Sequence, residues 1–234
     1  VRLFIDALGF KQPRQYSLSD SSTGQYLRIS VKNESPKAEG QDPGYVSSTL
    51  HNKVKENDVI ELSAPTGNFF LFNPEKTNVL ISAGIGLTPM MAMLNQLLTG
   101  NTDPNEKVTL WEKIKANFNK PEPKNPINFI HAVRNSRVHA MKETVQDLAK
   151  KHDNLNVFVA YEQTDSKDVL GRDYHAEGRL NLKQLDAKML PKDADYYLCG
   201  PIPFMQVQHK ALLELGIPAQ NIHSEAFGTG GVAL

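Results

Sequence analysis

Cysteine is nearly absent from this chain, which has a single one, Cys199, among its 234 residues. An internal disulfide is therefore excluded, and with it the disulfide framework of a small secreted domain. One cysteine suits a reducing compartment, so we expect a cytoplasmic protein. Residues 1–5 show no charged, cleavable leader and are typical of the inside of a strand. We therefore expect a piece of a longer chain.

An excess of charge of either sign is also missing. Lysine and arginine together number 26, as do aspartate and glutamate, so the formal net charge is zero. This balance gives no electrostatic attraction to nucleic acid or to an anionic membrane, and we expect neither partner. The only long apolar run, residues 79–98, is interrupted by Gly84, Gly86 and Pro89 and favours a strand followed by a helix. We therefore reject a membrane span.

A metal-binding pattern is lacking as well. The seven histidines show no spacing typical of a metal site, and we expect none. They are His51, His131, His139, His152, His175, His209 and His223. Since His131 lies inside an expected strand, we assign it to the core or to an interface between domains.

What is present is a change of pattern near residue 74. Up to about residue 72 the chain is β-rich, with one short helix beginning near Ser47. Its expected strands are 1–5, 15–18, 26–32 and 59–63. From residue 78 strands and helices alternate, which predicts a parallel sheet with helices on both faces. The expected strands there are 79–83, 127–133, 155–161, 196–199 and 222–226. We place a β domain at 1–74 and an α/β domain at 75–234.

Two helices of the second part can be placed from their periodicity. One is expected to be capped by Ser136, with one apolar face formed by Val138, Met141, Val145 and Leu148. The other spans about 203–215 and ends at Gly216. Residues 101–126 are polar, and we interpret them as a surface excursion with a possible helix at 108–118.

A buried strand, a glycine turn and a helix start follow one another without a gap near residue 84. Gly84 and Gly86 permit a tight turn and the close approach of a phosphate. Thr88 is a good N-cap and Pro89 suits the first helical position. Taken alone, the segment is either an ordinary strand–helix turn or a dinucleotide phosphate site.

Four further segments accompany this turn. They contain Arg14, Tyr16 and Ser17 on an expected strand; Gly44, Tyr45, Val46 and Ser47 at a helix start; Cys199, Gly200 and Pro201 after a strand; and Glu225 and Phe227 near the end. In this order, together with Gly84, Gly86, Leu87, Thr88 and Pro89, they closely resemble the flavin- and nicotinamide-binding motifs of the ferredoxin-NADP reductase superfamily. The match is closest to the C-terminal reductase part of flavohaemoglobins and covers nearly the whole chain apart from 101–126.

The resemblance implies a fold and a flavin site. The fold is an antiparallel FAD-binding β-barrel, truncated at its N-terminus, followed by a parallel-sheet NAD(P)-binding α/β domain. By resemblance, Tyr16 packs on the isoalloxazine, Ser17 bonds near flavin N5 and Arg14 meets the FAD pyrophosphate. The helix start from Gly44 to Ser47, with Ser47 as its cap, also takes that pyrophosphate. Phe227 covers the nicotinamide side of the flavin.

The resemblance implies a nicotinamide site too. The turn from Gly84 to Pro89 holds the NAD(P)H pyrophosphate, and Cys199, Gly200 and Pro201 line the nicotinamide pocket. Arg134 and Ser136 lie where the adenosine ribose is expected. Since an acidic residue would favour NADH whereas Arg134 tolerates a 2′-phosphate, the choice between NADH and NADPH stays open. The residues closest to the reaction are Tyr16, Ser17, Cys199 and Glu225.

The function implied by the resemblance is hydride transfer from NAD(P)H to FAD, then single electrons to a haem globin in the full-length chain. That globin carries the haem, and the overall reaction converts nitric oxide to nitrate. Two alternatives stay open: a stand-alone reductase serving an iron–sulfur protein or free flavin, and a nucleotide-binding module without redox activity. One departure concerns Phe227, which is followed by Gly228 and Thr229 where the family has Gly-Pro.

Overall fold

The computed structural model describes residues 1–7, 9–21, 25–34, 44–99 and 125–227. These residues form a three-stranded sheet and a six-stranded sheet with helices packed against them. The expected helix at 108–118, most of the 101–126 excursion and the glycine-rich tail after Phe227 lie outside the described residues.

The first sheet is antiparallel and is built around its first strand. Its strands are β1 (Arg2–Ala7), β2 (Phe10–Gln15) and β3 (Glu61–Leu62), in the order β2-β1-β3. Alternate residues of β1, namely Leu3, Ile5 and Ala7, are buried and pack with Val46 of helix α1 (Tyr45–Asn52). This alternation is what a half-buried strand requires.

Three sequence expectations for this sheet need correction. The strand expected at 15–18 ends at Gln15 instead. Its earlier part was missed because Pro13 and a largely exposed sequence hide the pattern; β2 is an edge strand, where proline is tolerated. The strand expected at 26–32 is reduced to an isolated bridge between Leu18 and Ile29. The one at 59–63 shrinks to β3.

The second sheet is parallel throughout. Its strands are β4 (Thr77–Ala83), β5 (Ile127–Val133), β6 (Leu155–Tyr161), β7 (Ala176–Glu177), β8 (Ala194–Gly200) and β9 (Ile222–Ala226), in the order β7-β6-β5-β4-β8-β9. The five expected strands are confirmed. Two residues of β7 were too few to leave a pattern. Val79, Leu80 and Ile81 of β4 are fully buried because both faces of the sheet are covered.

Helices α2 (Leu87–Thr99), α3 (Lys142–Lys151) and α4 (Ile202–Glu214) cover the two faces. One core joins Leu80 and Tyr197 to α2 and α3, and the other joins Ile81 and Leu198 to α4. The apolar run at 79–98 is thus divided between β4 and α2. In the described part of the chain no helix has the length and apolar character needed to cross a membrane.

Helix α3 begins later than the sequence suggested. Ser136 belongs to a short 3-10 turn, Ser136–Val138, and does not cap α3. The residue before α3 is Met141, whose φ of 55° is left-handed. Of the expected apolar face, Val145 is fully buried, whereas Val138 is 55% exposed. Helix α4 lies within one residue of its expected span at each end.

Candidate functional site

The six-stranded sheet has a crevice at the carboxyl ends of β4 and β8. The chain runs outward from β4 through β5 and β6 to β7, then returns to the other side of β4 to form β8 and β9. Neighbouring parallel strands whose connections leave in opposite directions open a cleft at their carboxyl ends, where ligands bind in such sheets. The glycine turn and the Cys199–Pro201 segment both lie at this place.

Gly84 and Gly86 have different structural roles in the glycine turn. Gly84 has a φ of 53°, is exposed, and has nothing within 4 Å of the position where a Cβ would stand. Gly86 is buried, and a Cβ there would lie 2.3 Å from the carbonyl oxygen of Cys199. The 3-10 turn Gly84–Gly86 leads directly into α2, whose start leaves backbone N–H groups without helical partners. An open backbone surface suited to an anion results.

Thr88 and Pro89 do not act as the sequence suggested. The helical path starts after Ala83, so Thr88 is already inside α2. Its hydroxyl donates to the carbonyl oxygen of Ile85 at 3.1 Å and caps no N–H group. The side chains of Leu87, Thr88 and Pro89 are all buried. Their contribution to a phosphate site is therefore limited to shaping the backbone of the turn.

Cys199 lies near the end of β8, between β4 and β9, each of which contributes residues to the site. It pairs in register with Ser82 of β4 and with Glu225 of β9. Its side chain is fully buried, and this burial raises the pKa of the thiol well above its ordinary value, with a smaller contribution from the Glu225 carboxylate. Gly200 follows, where a Cβ would stand 2.9 Å from the Phe204 ring, and Pro201 precedes α4.

The burial of this thiol can be tested by chemical labelling. We expect the folded protein to react with a disulfide thiol reagent at mildly alkaline pH at least about 100-fold more slowly than the unfolded chain, because the thiolate is the nucleophile and burial suppresses it. Since Cys199 is the only cysteine, the total label reports this residue alone. Equal rates in the folded and denatured protein would contradict its placement in the core.

Ser17 and Glu225 are 208 positions apart in the chain and meet in the structure. The Ser17 hydroxyl donates to Glu225 Oε2 at 3.2 Å. Burial raises the pKa of the half-buried Glu225 carboxyl, and the Ser17 hydrogen bond opposes that shift. Because Glu225 pairs with Cys199 across β8 and β9, three of the four residues expected near the reaction lie together at one junction between the two sheets.

Tyr16, the fourth, follows the end of β2. It is half-buried against the core of the first sheet, and burial raises the pKa of its phenol. The neighbouring Arg14 is exposed, and its guanidinium donates to the carbonyl of Pro13 and to Gln12 Oε1. Both acceptors are neutral, so the positive charge of Arg14 is available to a phosphate group.

The helix start at Gly44 differs from its sequence-based description. Gly44 is the N-cap of α1, and Ser47 lies inside the first turn. The Ser47 hydroxyl donates to the Gly44 carbonyl at 2.9 Å and accepts from the N–H of Glu34 at 3.3 Å. Val46 is buried in the core and Tyr45 is half-buried. The start of α1 therefore presents backbone groups, and Ser47 ties this turn to Gly44 and Glu34.

Two of the expected nucleotide contacts lie at the end of β5. Arg134 is exposed and Ser136 is half-buried at the start of a 3-10 turn. Sequence reasoning missed how this loop is held. Arg137 donates twice to Asp165, at 2.9 and 3.0 Å, which ties it to the loop that follows β6. A bidentate arginine–carboxylate pair leaves no local signature in sequence, because its partners are 28 residues apart.

Phe227 follows β9 directly and is 37% exposed. It stands two residues after Glu225, as expected for two side chains that share a side of an extended stretch. A partly exposed aromatic ring two residues beyond Glu225 offers a flat apolar surface just after the end of β9.

A buried polar cluster under the carboxyl edge was only partly anticipated. His131, expected in the core or at an interface, is 1% exposed within the sheet core. Its Nδ1 lies 2.9 Å from Ser82 Oγ. His139 packs beside it and bonds the Tyr161 hydroxyl at 2.8 Å. Burial lowers the pKa of His131 to about 3, and the neighbouring His139 adds to this shift. Both burial and Lys142 lower the pKa of His139 to about 4.

This cluster makes folding stability depend on pH. The folded-state pKa of His131 lies below its unfolded value, so its contribution is present above about pH 6.5 and is lost as the pH falls. Between pH 7 and pH 5 we expect the free energy of unfolding to fall by about 2 kcal/mol through this residue. Equilibrium denaturation at both pH values measures it. His131→Asn should show a flatter dependence, and an unchanged slope in that variant would contradict the assignment.

The residues at the junction fit two dinucleotides. Backbone at Gly84–Gly86 is open where a phosphate would lie, and Gly86 has no room for a side chain. A second helix start at Gly44 and the Arg14 guanidinium, whose two acceptors are neutral, are each suited to an anion. Tyr16, Ser17 and Glu225 add an aromatic ring, a hydroxyl and a partly buried carboxyl, of which the last two are in direct contact.

Comparisons with known proteins agree with this geometry. Residues 80–210 match the oxidoreductase NAD-binding domain family. A flavohemoprotein of Bordetella pertussis is 45% identical over 236 residues, covering 100% of this chain and 52% of that protein. The chain thus spans about half the length of the curated relatives it matches.

Solved structures of flavohaemoproteins are also similar to this chain. The flavohem-like FAD/NAD-binding domain of nitric oxide dioxygenase from Vibrio cholerae is 35% identical, with a TM-score of 0.76, covering 97% of this chain and 83% of that one. A flavohemoglobin from Malassezia yamatoensis with bound FAD and heme is 26% identical, with a TM-score of 0.68, covering 97% of this chain and 50% of that one. The expected two-part fold, a β-rich part followed by a parallel α/β part, is confirmed. The chain belongs to the oxidoreductase NAD-binding domain family, and its relatives there are the FAD/NAD-binding reductase portions of flavohaemoproteins.

Proposed function

We propose that this chain is an FAD-containing NAD(P)H oxidoreductase module that brings a nicotinamide and a flavin together at the junction of its two sheets. The observation that carries the proposal is the Ser17–Glu225 hydrogen bond beside the end of β8. It joins the first sheet's Tyr16–Ser17 segment to the nucleotide-binding sheet at the edge where the glycine turn lies. The same contact places Cys199 one strand away.

On the flavin side the chain would supply binding and orientation. Tyr16 offers an aromatic face to the isoalloxazine, and Ser17 offers a hydroxyl near its N5. Arg14 and the backbone of Gly44, Tyr45, Val46 and Ser47 would bind the pyrophosphate. Phe227 would cover the side of the ring that receives the nicotinamide. When bound, FAD supplies the capacity to accept a hydride and release electrons one at a time.

On the nucleotide side the backbone from Gly84 to Pro89 would hold the NAD(P)H pyrophosphate at the start of α2. Cys199, Gly200 and Pro201 would line the nicotinamide pocket. Arg134 and Ser136 would face the adenosine ribose. The rings must approach within about 3–3.5 Å for transfer, so the placement of these backbone segments governs the rate.

The position of Glu225 suggests a role for its carboxyl group at the same place. Burial raises its pKa, so it holds a proton at higher pH than an exposed glutamate. A carboxyl group held by Ser17 at the edge of the junction is able to take up or deliver a proton as the redox state of the site changes. We propose this exchange as the function of Glu225.

The electron acceptor in the full-length protein is proposed to be a haem globin fused to this module. The relatives are about twice as long and are named flavohemoproteins, and one solved relative holds both FAD and heme. The overall reaction proposed is nitric oxide dioxygenation, supported by the name of the Vibrio cholerae relative; nitrate as the product is what the resemblance in sequence implies. The single cysteine supports a cytoplasmic location. We also propose the division into domains 1–74 and 75–234.

A diaphorase assay tests the proposal. Purified chain loaded with FAD should reduce ferricyanide with NADH or NADPH as donor, and the same chain without FAD should not. Fusing the upstream segment of the full-length gene should add NAD(P)H-dependent reduction of ferric haem. A chain that binds FAD but reduces ferricyanide with neither nucleotide would contradict the oxidoreductase proposal. Reduction of ferricyanide without reduction of haem would contradict the globin partner alone.

A further inference from the structure

A second contact between the two halves of the site lies three residues beyond Ser17. The Asn95 side-chain amide, on α2, donates to Asp20 Oδ1 at 2.7 Å. The partners are 75 positions apart, and the contact is partly buried. It connects the segment that carries Tyr16 and Ser17 with the helix whose first turn follows Gly84–Gly86.

Asp20 is held firmly on its own side of this contact. Its carboxylate is 12% exposed. One oxygen accepts from the N–H of Ser21 at 2.9 Å and from Asn95, and the other from the Tyr26 hydroxyl at 2.9 Å and the Arg28 guanidinium at 2.8 Å. A carboxylate with both oxygens occupied cannot rotate freely, so its bond to Asn95 fixes a direction as well as a distance.

The segment from Ser17 to Asp20 is therefore attached to the nucleotide-binding sheet at two points. Ser17 bonds Glu225 on β9, and Asp20 bonds Asn95 on α2. A single contact would let the segment rotate relative to the nucleotide-binding sheet, whereas two contacts on different elements prevent that rotation. Ser19, between them, is 3% exposed, and its N–H donates to the carbonyl of Arg28 at 2.9 Å, which restricts the movement of the segment.

We propose that Asp20 and Asn95 are positioning residues that set the approach of the nicotinamide cradle to the flavin-binding segment. Neither side chain is proposed to touch the cofactors. The inference deepens the proposed function and depends on it for its consequence in catalysis. A misplacement of about 1 Å far from the reacting atoms costs up to roughly 100-fold in rate. Loss of this contact should therefore slow hydride transfer without preventing the binding of FAD or NAD(P)H.

A charge exchange tests the contact. Asn95→Asp keeps the size of the side chain but places a carboxylate against Asp20. In the double variant D20N/N95D an amide again faces a carboxylate, now in the opposite direction. Asn33→Asp, at an exposed position of the described chain, is the control for one added negative charge.

We expect N95D to slow flavin reduction while leaving nucleotide binding nearly unchanged. In FAD-loaded N95D, the rate constant for flavin reduction at saturating NAD(P)H should fall about tenfold or more, while the nucleotide Kd changes less than about threefold. The double variant should be reduced faster than N95D, with recovery limited by the Arg28 ion pair that Asp20→Asn removes, and N33D should match the wild type. Asn95→Ala, which adds no repulsion, should also slow flavin reduction, and it replaces N95D if circular dichroism shows that N95D is not folded.

Two results would overturn the proposal: N95D reduced as fast as N33D, or N95A reduced at the wild-type rate. Hydrogen exchange provides a readout independent of activity. In the FAD-loaded protein without nucleotide, amides of residues 16–21 should exchange faster in N95D than in N33D, and equal exchange would contradict the contact. If wild-type protein is not reduced at all, the proposed function fails. The hydrogen-exchange measurement still decides whether the Asp20–Asn95 contact holds the segment.

Discussion

Replacing Gly86 with alanine is expected to lower the free energy of unfolding by about 3 kcal/mol or more. The added methyl group would stand 2.3 Å from the carbonyl oxygen of Cys199 and 2.8 Å from the backbone nitrogen of Gly200. Backbone atoms of a fully buried strand cannot move aside as the end of a flexible side chain can. The start of α2 must therefore shift away from β8.

G86A should also impair the function, by an amount similar to its effect on stability. The turn that would hold the pyrophosphate and the strand end that would line the nicotinamide pocket are in direct contact through Gly86. Separating them should lower NAD(P)H-dependent flavin reduction by about 100-fold, with FAD binding retained. Stopped-flow reduction and calorimetric melting measure both effects; the melting temperature should fall by roughly 6–12 °C.

Gly84→Ala is the control for this substitution. Gly84 has a φ of 53° and open space around it, so its variant pays only for the left-handed backbone, about 1–2 kcal/mol. The difference between the two variants isolates the steric contact. If G86A melts no lower than G84A, the close packing of the turn against β8 is wrong.

Replacing Ser17 with alanine has the second largest expected effect. It removes the hydroxyl that donates to Glu225 Oε2 and leaves a half-buried carboxyl without that partner. Loss of this contact releases one of the two attachments that position the Tyr16–Ser17 segment, so the rate of flavin reduction should fall by roughly ten- to a hundredfold. The free energy of unfolding should fall by at most about 1.5–3 kcal/mol, the worth of a hydrogen bond to a charged group.

Ser17→Ala also carries a signature in the pH profile. Without the Ser17 hydrogen bond, which lowers the Glu225 pKa against the effect of burial, that pKa should rise further. Whichever limb of the pH profile is set by Glu225 should therefore move to higher pH in S17A. Ser224→Ala, an exposed change on the neighbouring position of β9, should match the wild type. A wild-type reduction rate in S17A would remove the role proposed for Ser17.

The parallel sheet could be predicted from the sequence because its strands are apolar on both faces. Runs such as Val79 to Ile81 have no other stable location than a covered sheet, and their alternation with helices implies parallel pairing. The first sheet was harder to predict. Its short strand β3 and its proline-containing edge strand β2 carry few of the residues that mark strands.

Helix starts show a specific limit of local sequence patterns. Ser47 and Thr88 were both expected to cap helices, yet each lies inside its helix and donates to the carbonyl three residues earlier. A hydroxyl near a helix start can accept from N–H groups as a cap or donate backward from the first turn. The residue type alone does not distinguish these positions, since both satisfy a polar group.

The candidate site was named from motifs, but its contacts come from the tertiary structure. Ser17 and Glu225 were each expected near the reaction, and their direct bond depends on how the two sheets meet. Nothing local distinguishes Asp20 and Asn95 from other polar residues of the chain. Their pairing became visible only when α2 was placed beside the segment that follows β2.

The most direct test of the account is anaerobic mixing of the FAD-loaded chain with NADH, and separately with NADPH, while the flavin absorbance is recorded. The account predicts rapid bleaching with at least one nucleotide, slowed when the transferred hydrogen at nicotinamide C4 is deuterium. Bound FAD that stays oxidised with both nucleotides, in a chain shown to bind them, would contradict the claim that the junction of Ser17, Cys199 and Glu225 brings the two rings together.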